Sequence, residues 1–329
     1  MLVIMTSHDV ANSKLRPVFL HGYQGGGTGI LWNLITSHPS CLGPRLETNE
    51  LFLFGFSRFA KALLKRRGYQ VRNMLALVRL GVRHGFDPRA FRAFSLEDLN
   101  PRDGDRLRSH AFRSAVIGRL HELKVDHAVR PGLDLEDYKT PTRRYRPEEI
   151  ETTRLTAKNL EGCCFLRDFL REIYIEPRFV SIVRDGLAVC ESNLRHGRAA
   201  SATDAGRRYR VIASELLRQS EDDDSLLVRY EDLVANPREF ISTLYDFLGI
   251  DLDPDQMFRM AVREFVGREG TWLGKHQVQK GKNWMTLGEL TERFLQKDIN
   301  KRALQRLSAS DRKQFLAECR DIEKTLGYL

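Results

Sequence analysis

Apolar and polar positions alternate along the chain in a way that predicts short strands followed by helices. The apolar run in "RPVFLHG", residues 16–22, predicts a buried strand, because Pro17 and Gly22 bound it. Helical spacing of apolar residues follows from Thr28 to Ser37. Strands alternating with helices are typical of a parallel sheet covered by helices on both faces, a three-layer α/β fold. The later predicted elements are helix 160–174, strand 178–185, helices 186–196 and 203–220, strand 225–233 and helix 236–250.

A long middle segment breaks this alternation. Residues 56–84 have the spacing of a helix with a strongly basic face, and the part that follows mixes helical pieces with turns. Residues 56–150 hold 21 Lys or Arg against 12 Asp or Glu, which is the whole net charge of +9. We predict a single domain (1–329) with its core at about 16–55 and 151–329 and a basic, mainly helical insertion at about 56–150. Such a segment attracts anionic partners, although a solvated helical surface explains the same pattern.

The cysteines and the apolar runs indicate the cellular compartment of the protein. An odd number of cysteines without a CxxC pair predicts reduced thiols in the cytoplasm and no structural zinc. The N-terminus lacks the features of a signal peptide, and no apolar run approaches the roughly 18 residues of a membrane span. We expect no metal, no nucleic-acid partner and no transmembrane segment, while contact with a membrane surface stays open. The five cysteines are Cys41, Cys163, Cys164, Cys190 and Cys319.

A glycine-rich loop, "HGYQGGGTG", joins the first predicted strand to the first helix. Strand, glycine turn and helix together present backbone N–H groups to an anion. A Walker A loop is disfavoured, because Thr28 and Gly29 stand where Lys and Ser/Thr are required. An α/β-hydrolase would explain the His-Gly pair, but the chain has no GxSxG nucleophile elbow. A tight turn that binds nothing is the remaining alternative.

Three segments far from the glycine loop in the sequence favour another interpretation of that loop. "RFVSIVRDGLAVCESNLR" places Arg184 at a strand end and Ser192 in the next helix. "VRYEDLVANPREFISTLYDFLGI" and "KGKNW" follow in that order. With the glycine loop, these segments resemble the sulfotransferases that use 3′-phosphoadenosine 5′-phosphosulfate (PAPS). The resemblance covers residues 16–55 and about 150–329, and it implies a P-loop-NTPase-like α/β fold.

The resemblance also implies roles for particular residues. The loop would hold the 5′-phosphosulfate of the donor through its backbone amides. Arg184 and Ser192 match the positions that bind the 3′-phosphate, and Lys280, Gly281 and Lys282 match a loop that closes over it. Arginine suits this role, because its guanidinium offers paired donors to a phosphate. The loop residues implied in donor binding are Gln24, Gly25, Gly26, Gly27, Thr28 and Gly29.

The glycine loop departs from the family at one point. The basic residue that the family carries there is replaced by Gln24 and Gly25. Losing a positioned cation costs several kcal/mol of transition-state stabilisation unless another cation replaces it. Lys158, in a segment that resembles a family lysine motif, is our first candidate, and Lys275 and His276 are the second. The other explanation is a pseudoenzyme that binds the donor without catalysis.

An acceptor hydroxyl also needs a general base. "PRLETNELF" resembles the family segment that carries a glutamate, and within it Glu47 is favoured over Glu50. His21, next to the loop, is the alternative, although a histidine at a strand end is usually packed structurally. The resemblance thus implies sulfuryl transfer from PAPS, without a metal, to a small-molecule or glycan acceptor. The basic segment favours an anionic, carbohydrate-like or glycolipid-like acceptor, and the oligomeric state stays open.

Overall fold

The structure is a computed structural model. Its described residues divide into two compact units, a first unit within Met1–Phe19 and Pro39–Phe179 and a second unit within Leu20–His38 and Val180–Leu329. Among the described residues, no helix is long and apolar enough to cross a membrane. The described residues are 16–43, 113, 116–122, 124, 136–137, 140–144, 147–259, 284–293, 295 and 298–329.

A parallel five-stranded sheet flanked by helices confirms the predicted α/β fold class. Its strand order is β2–β5–β1–β6–β7, and Cys41 of β2 pairs with Arg154 of β5. In a parallel sheet the loops after neighbouring strands leave from the same edge, where ligands usually bind. The loops after β1 and β6 therefore start side by side. The five strands are β1 (Val18–Gly22), β2 (Cys41–Leu42), β5 (Arg154–Lys158), β6 (Arg178–Val183) and β7 (Ser225–Arg229).

Two antiparallel pairs lie outside this sheet. Strand β3 (Glu136–Asp137) pairs with β4 (Thr140–Arg144), and β8 (Phe258–Arg259) pairs with β9 (Trp284–Met285). The first pair falls in the predicted insertion, and most of that segment lies outside the described residues. Its mainly helical character therefore stays a prediction.

Ten α-helices have defined bounds among the described residues. Helix α7 begins with Pro237 and ends before Gly249 in the left-handed conformation, with φ 60°, as its sequence predicts. The helices are α1 (Thr28–Thr36), α2 (Pro147–Thr152), α3 (Arg167–Ile173), α4 (Gly186–Arg195), α5 (Ala202–Gln219), α6 (Tyr230–Ala235), α7 (Pro237–Leu248), α8 (Leu287–Arg293), α9 (Ile299–Arg306) and α10 (Ala309–Thr325).

Two predicted elements differ from the structure. The strand expected over 225–233 stops at Arg229, and α6 begins at Tyr230. Two acidic residues in the first turn of α6 explain the switch, because carboxylates stabilise the positive end of a helix. The helix expected over 160–174 begins as a 3₁₀ turn, Glu161–Leu166, before α3.

Aromatic packing builds the core of the first unit. The ring of Phe19 stacks on Phe179 with centroids 5.7 Å apart, and Tyr174 packs on Phe19 at 5.3 Å. The guanidinium of Arg167 lies 5.4 Å from the Phe179 ring, so a buried charge covers the same cluster. These contacts fix the beginning of β1 in the first unit.

Helix packing builds the core of the second unit. Helices α5 and α10 pack together, with the ring of Tyr209 5.6 Å from that of Phe315. The hydroxyl of Tyr245 on α7 donates to the backbone carbonyl of Leu34 on α1 at 2.8 Å. A buried Tyr hydroxyl needs such a partner. This bond secures α1, the helix that follows the glycine loop.

Candidate functional site

The glycine loop lies between β1 and α1, and residues 24–27 form its turn. Gly25 has φ 88° and Gly27 has φ 101°, left-handed conformations that favour glycine. The N–H of Gly26 donates to the carbonyl of Tyr23 at 2.9 Å, which closes the turn. Gly27, at the N-cap of α1, has no side chain to cap the helix, and the first turn of α1 contains no acidic residue. An uncapped helix start next to a glycine turn is suited to an anion.

Ser192 on α4 lies against this loop. A Cβ atom placed on Gly25 would lie 2.8 Å from the Ser192 hydroxyl oxygen, so only glycine allows this approach. The neighbouring Asn193 donates from Nδ2 to the carbonyl of Gln24 at 3.1 Å and to that of Val189 at 2.9 Å. Helix α4 therefore both supports the loop and presents a hydroxyl beside it.

Arg184 approaches the same glycine from the end of β6. Its Nη1 donates to the carbonyl of Gly25 at 2.9 Å, and its Nε donates to Oδ1 of Asn300 at 2.8 Å. The guanidinium carbon also lies 5.0 Å from the centre of the Tyr230 ring. The structure thus brings the predicted pair, Arg184 and Ser192, together around Gly25.

Burial shapes the charge of Arg184. The residue is only 8% exposed, and burial lowers the pKa of its guanidinium, while Tyr230 and nearby carboxylates oppose that shift. An arginine remains charged in proteins even when it is buried. The loop therefore has a shielded cation within hydrogen-bond distance of its backbone, an arrangement that attracts a phosphate group.

Sequence reasoning missed the residues that support Arg184. The carboxylate of Glu231 accepts hydrogen bonds from the Asp185 N–H at 3.0 Å, from Asn300 at 2.6 Å and from the Tyr328 hydroxyl at 2.8 Å. Asn193 and Asn300 carry no motif that could have identified them. Only the strand-to-helix switch at Tyr230, next to an acidic pair, could have drawn attention to Glu231.

The other predicted residues fall into two groups. Thr28 begins α1 and is 5% exposed, Gly29 follows it in the helix, and Gly26 lies in the turn of the loop. His21 lies in β1 and is completely buried, whereas Lys158 ends β5 in the first unit and is 8% exposed. Several candidates lie outside the described residues, namely Glu47, Glu50, Lys275, His276, Lys280, Gly281 and Lys282.

Two other features of the described residues bear on the chemistry. No group of three or more His, Cys, Asp or Glu side chains within the described ranges could hold a metal ion. All five cysteines are free thiols, and all are buried.

Comparison with one solved structure supports the fold, and two others are also similar to the chain. The chain is similar to the sulfotransferase domain of the Synechococcus PCC 7002 olefin synthase, with 19% identity, a TM-score of 0.51, and 95% of this chain and 96% of that chain covered. It is also similar to the sulfotransferase domain of the curacin biosynthetic pathway, at 15% identity and TM-score 0.48, covering 95% and 98%. A third similar structure is mouse SULT7A1 complexed with PAP, at 12% identity and TM-score 0.43, covering 98% and 94%.

Sequence comparison supports the family. No curated protein matches the chain. The model of the sulfotransferase family matches residues 17–254, which include the glycine loop, Arg184 and Ser192. Because this match spans most of the chain and contains the residues that meet around Gly25, the chain belongs to the sulfotransferase family.

Proposed function

We propose that this protein transfers a sulfuryl group from PAPS to an acceptor hydroxyl or amine. The observation that carries the proposal is the meeting of Arg184 and Ser192 at Gly25. A guanidinium and a hydroxyl side by side suit the 3′-phosphate of the donor, since both donate hydrogen bonds to phosphate oxygens. The backbone amides of residues 24–29 lie at an uncapped helix start, where they suit the 5′-phosphosulfate.

Residues outside the described ranges complete the proposed donor site. Lys280, Gly281 and Lys282 match the family loop that closes over the 3′-phosphate, and we assign them that role. Two lysines would add positive charge and exclude water, which strengthens every electrostatic interaction in the site. No metal is needed, because amides and cations stabilise the transferring group.

The transfer itself needs a cation and a base. In the proposed step the acceptor oxygen forms a bond to sulfur as the bond between sulfur and the donor's phosphate oxygen breaks, and the acceptor proton passes to the base. We assign the base to Glu47 and keep His21 as the alternative, although burial of its ring requires local opening before it can reach a substrate. Because its segment resembles the family lysine motif, we assign to Lys158 the role of the missing cation.

The basic segment at 56–150 is the proposed acceptor side. Its 21 Lys or Arg against 12 Asp or Glu favour an anionic carbohydrate or glycolipid-like acceptor. The free thiols favour the cytoplasm, because disulfides are rare in that compartment.

A second candidate function is donor binding without catalysis. The observation that favours it is the loop itself, in which Gln24 and Gly25 occupy the positions of the usual cation. If neither Lys158 nor another cation replaces it, the fold would bind the nucleotide or another polyanion as a pseudoenzyme.

Nucleotide binding provides the first test. Adenosine 3′,5′-bisphosphate should raise the melting temperature of the protein, and Arg184→Ala should abolish that increase, because the buried cation provides the contact to phosphate. A wild-type protein with unchanged melting temperature at millimolar bisphosphate would contradict the donor assignment.

Turnover provides the second test. Donor labelled with ³⁵S should transfer label to members of an acceptor panel, and Lys158→Ala should reduce the rate by on the order of a hundredfold. Glu47→Gln should reduce it by a similar factor. Binding without transfer to any acceptor would favour the pseudoenzyme, and full activity in both variants would refute only the catalytic assignments.

A further inference from the structure

We propose that Asn300 is a positioning residue for the 3′-phosphate of the donor, acting through Arg184. This inference rests on the proposed donor binding. Asn300 lies on α9, 116 positions after Arg184, and it matches no segment of the family pattern. Its side chain forms hydrogen bonds with a cation on one side and a carboxylate on the other.

The side-chain amide of Asn300 separates these two charges. Its Oδ1 accepts from Nε of Arg184 at 2.8 Å, and its Nδ2 donates to Oε1 of Glu231 at 2.6 Å. The carboxamide of Asn offers an acceptor and a donor in fixed directions on one neutral side chain. Glu231 is itself held by the Asp185 N–H and the Tyr328 hydroxyl, so its position does not depend on Arg184.

This separation matters for a phosphate ligand. If Glu231 bonded directly to Arg184, the carboxylate would occupy the same guanidinium donors that a phosphate requires. Through Asn300 the carboxylate still orients Arg184, but the guanidinium donors on the other side stay available. Among the described residues, Nε and Nη1 of Arg184 have protein acceptors, whereas Nη2 has none.

The remaining contacts fix the plane of the guanidinium. Asn300 holds one edge, the carbonyl of Gly25 holds another, and the Tyr230 ring covers one face. A donor held in one orientation loses less entropy when a ligand binds. The direction of Nη2 is therefore set before the phosphate arrives.

Helix α9 is also tied to the helix that presents Ser192. Nε of Arg306 on α9 pairs with Oε1 of Glu191 on α4 at 3.0 Å, and Arg195 pairs with the same oxygen. Glu191 is 5% exposed and directly precedes Ser192. One helix thus contacts both sides of the proposed phosphate site, at Arg184 through Asn300 and beside Ser192 through Arg306.

A comparison of two ligands distinguishes a role of Asn300 in positioning Arg184 from a role in folding. Adenosine 3′,5′-bisphosphate carries the 3′-phosphate, and adenosine 5′-monophosphate lacks it, so their affinity ratio reports on the contacts to the 3′-phosphate, which include that of Arg184. By calorimetry we expect Asn300→Ala to weaken bisphosphate binding about tenfold, the cost of losing a hydrogen bond to a charged group, and to change monophosphate binding less than about twofold. Gln305→Ala, an exposed position on the same helix, should change neither affinity.

A second variant, Asn300→Asp, tests whether a carboxylate in direct contact with Arg184 weakens phosphate binding. Asn300→Asp keeps an acceptor for Nε of Arg184 but places a carboxylate directly on the guanidinium. We expect it to weaken bisphosphate binding more than Asn300→Ala does, on the order of a hundredfold, because the phosphate must compete with that carboxylate. In an Arg184→Ala background, Asn300→Ala should have no further effect on the affinity ratio.

The outcomes distinguish this inference from the function on which it rests. Failure of the wild-type protein to bind the bisphosphate overturns the donor assignment and the role of Asn300 with it. Normal wild-type binding with an unchanged affinity ratio in Asn300→Ala and Asn300→Asp overturns the role of Asn300 alone. Equal losses for both nucleotides, or losses that add to those of Arg184→Ala, assign Asn300 to folding and also overturn its proposed role.

Discussion

The two ends of helix α4 are built in different ways. At its beginning, Asp185 caps the helix by accepting from the Ala188 N–H at 3.0 Å, and residues from remote parts of the chain add further bonds. Glu231, 46 positions away, accepts from the Asp185 N–H, and Glu323, 137 positions away, accepts from the Gly186 N–H at 3.2 Å. This end also adjoins Arg184, so it lies at the proposed phosphate site.

The backbone at the other end of α4 is terminated by bonds between its own neighbours. The N–H groups of His196, Gly197 and Arg198 donate to carbonyls of the last helical turn, at 3.2, 3.0 and 2.8 Å. Gly197 has φ 62°, and a Cβ atom there would meet none of the described residues within 4 Å. This is the usual glycine termination of a helix at an exposed position.

The difference shows where a local sequence pattern is enough to predict how a helix ends and where it is not. The exposed end needs only a glycine after the last turn, and a helix end there is predicted correctly. The end at the site depends on half-buried side chains from α6 and α9 and on a buried side chain from α10, which no local pattern connects. Polar contacts between residues far apart in the sequence hold Arg184 in position.

The sharpest test of this comparison uses two glycines that share a left-handed conformation. Gly25→Ala places a methyl group 2.8 Å from the Ser192 hydroxyl oxygen, and Gly197→Ala places one in open space. We expect Gly25→Ala to weaken adenosine 3′,5′-bisphosphate binding on the order of a hundredfold, since displacing packed atoms costs about 1–3 kcal/mol. Gly197→Ala should leave the affinity unchanged. Isothermal titration calorimetry measures both values.

Stability provides the control for this pair. Both variants force alanine into a left-handed conformation, which costs about 1–2 kcal/mol of the free energy of unfolding. Denaturant unfolding should therefore show a loss in each, with a larger loss for Gly25→Ala. Equal nucleotide affinity in the two variants would show that the contact between Gly25 and Ser192 does not shape the ligand site.

Local patterns account for the parts of the fold that sequence reasoning predicted correctly. The apolar run between Pro17 and Gly22 predicts β1, and the proline and glycine of α7 predict its two ends, because each signal acts within a few residues. Arg184 and Ser192 were identified because they recur in a family pattern. The structure then brought them to a common glycine.

Asn300 and Glu231 could not be identified in the same way. An asparagine in a polar helix is usually a surface residue, and its partner Arg184 is 116 positions away. Glu231 lies in the first turn of a helix, where acidic residues are common because they stabilise the positive end of the helix. Its carboxylate accepts bonds from α9 and from the C-terminal Tyr328. Only tertiary packing determines those contacts.

Glu323 provides a smaller test of the buried end of α4. It is 1% exposed, and burial raises the pKa of its carboxyl from 4.5 to about 7, with Asp185 and Glu231 adding to the shift. The folded protein therefore binds a proton more tightly than the unfolded chain does. The associated stabilisation is fully present below pH 4.5 and is lost as the pH rises through 7.

Replacing Glu323 by glutamine removes this pH dependence and keeps an acceptor for the Gly186 N–H. We expect the free energy of unfolding of the wild type to fall, relative to Glu323→Gln, by about 2 kcal/mol between pH 5 and pH 8. Urea unfolding of both proteins across that range measures the difference. Glu318→Gln, which removes an ion pair to Arg207 near the surface of the same helix, should shift stability by less than about 1 kcal/mol. Parallel pH profiles for wild type and Glu323→Gln would mean that the carboxyl is charged throughout, and that the buried end of α4 tolerates a charge which its surroundings should disfavour.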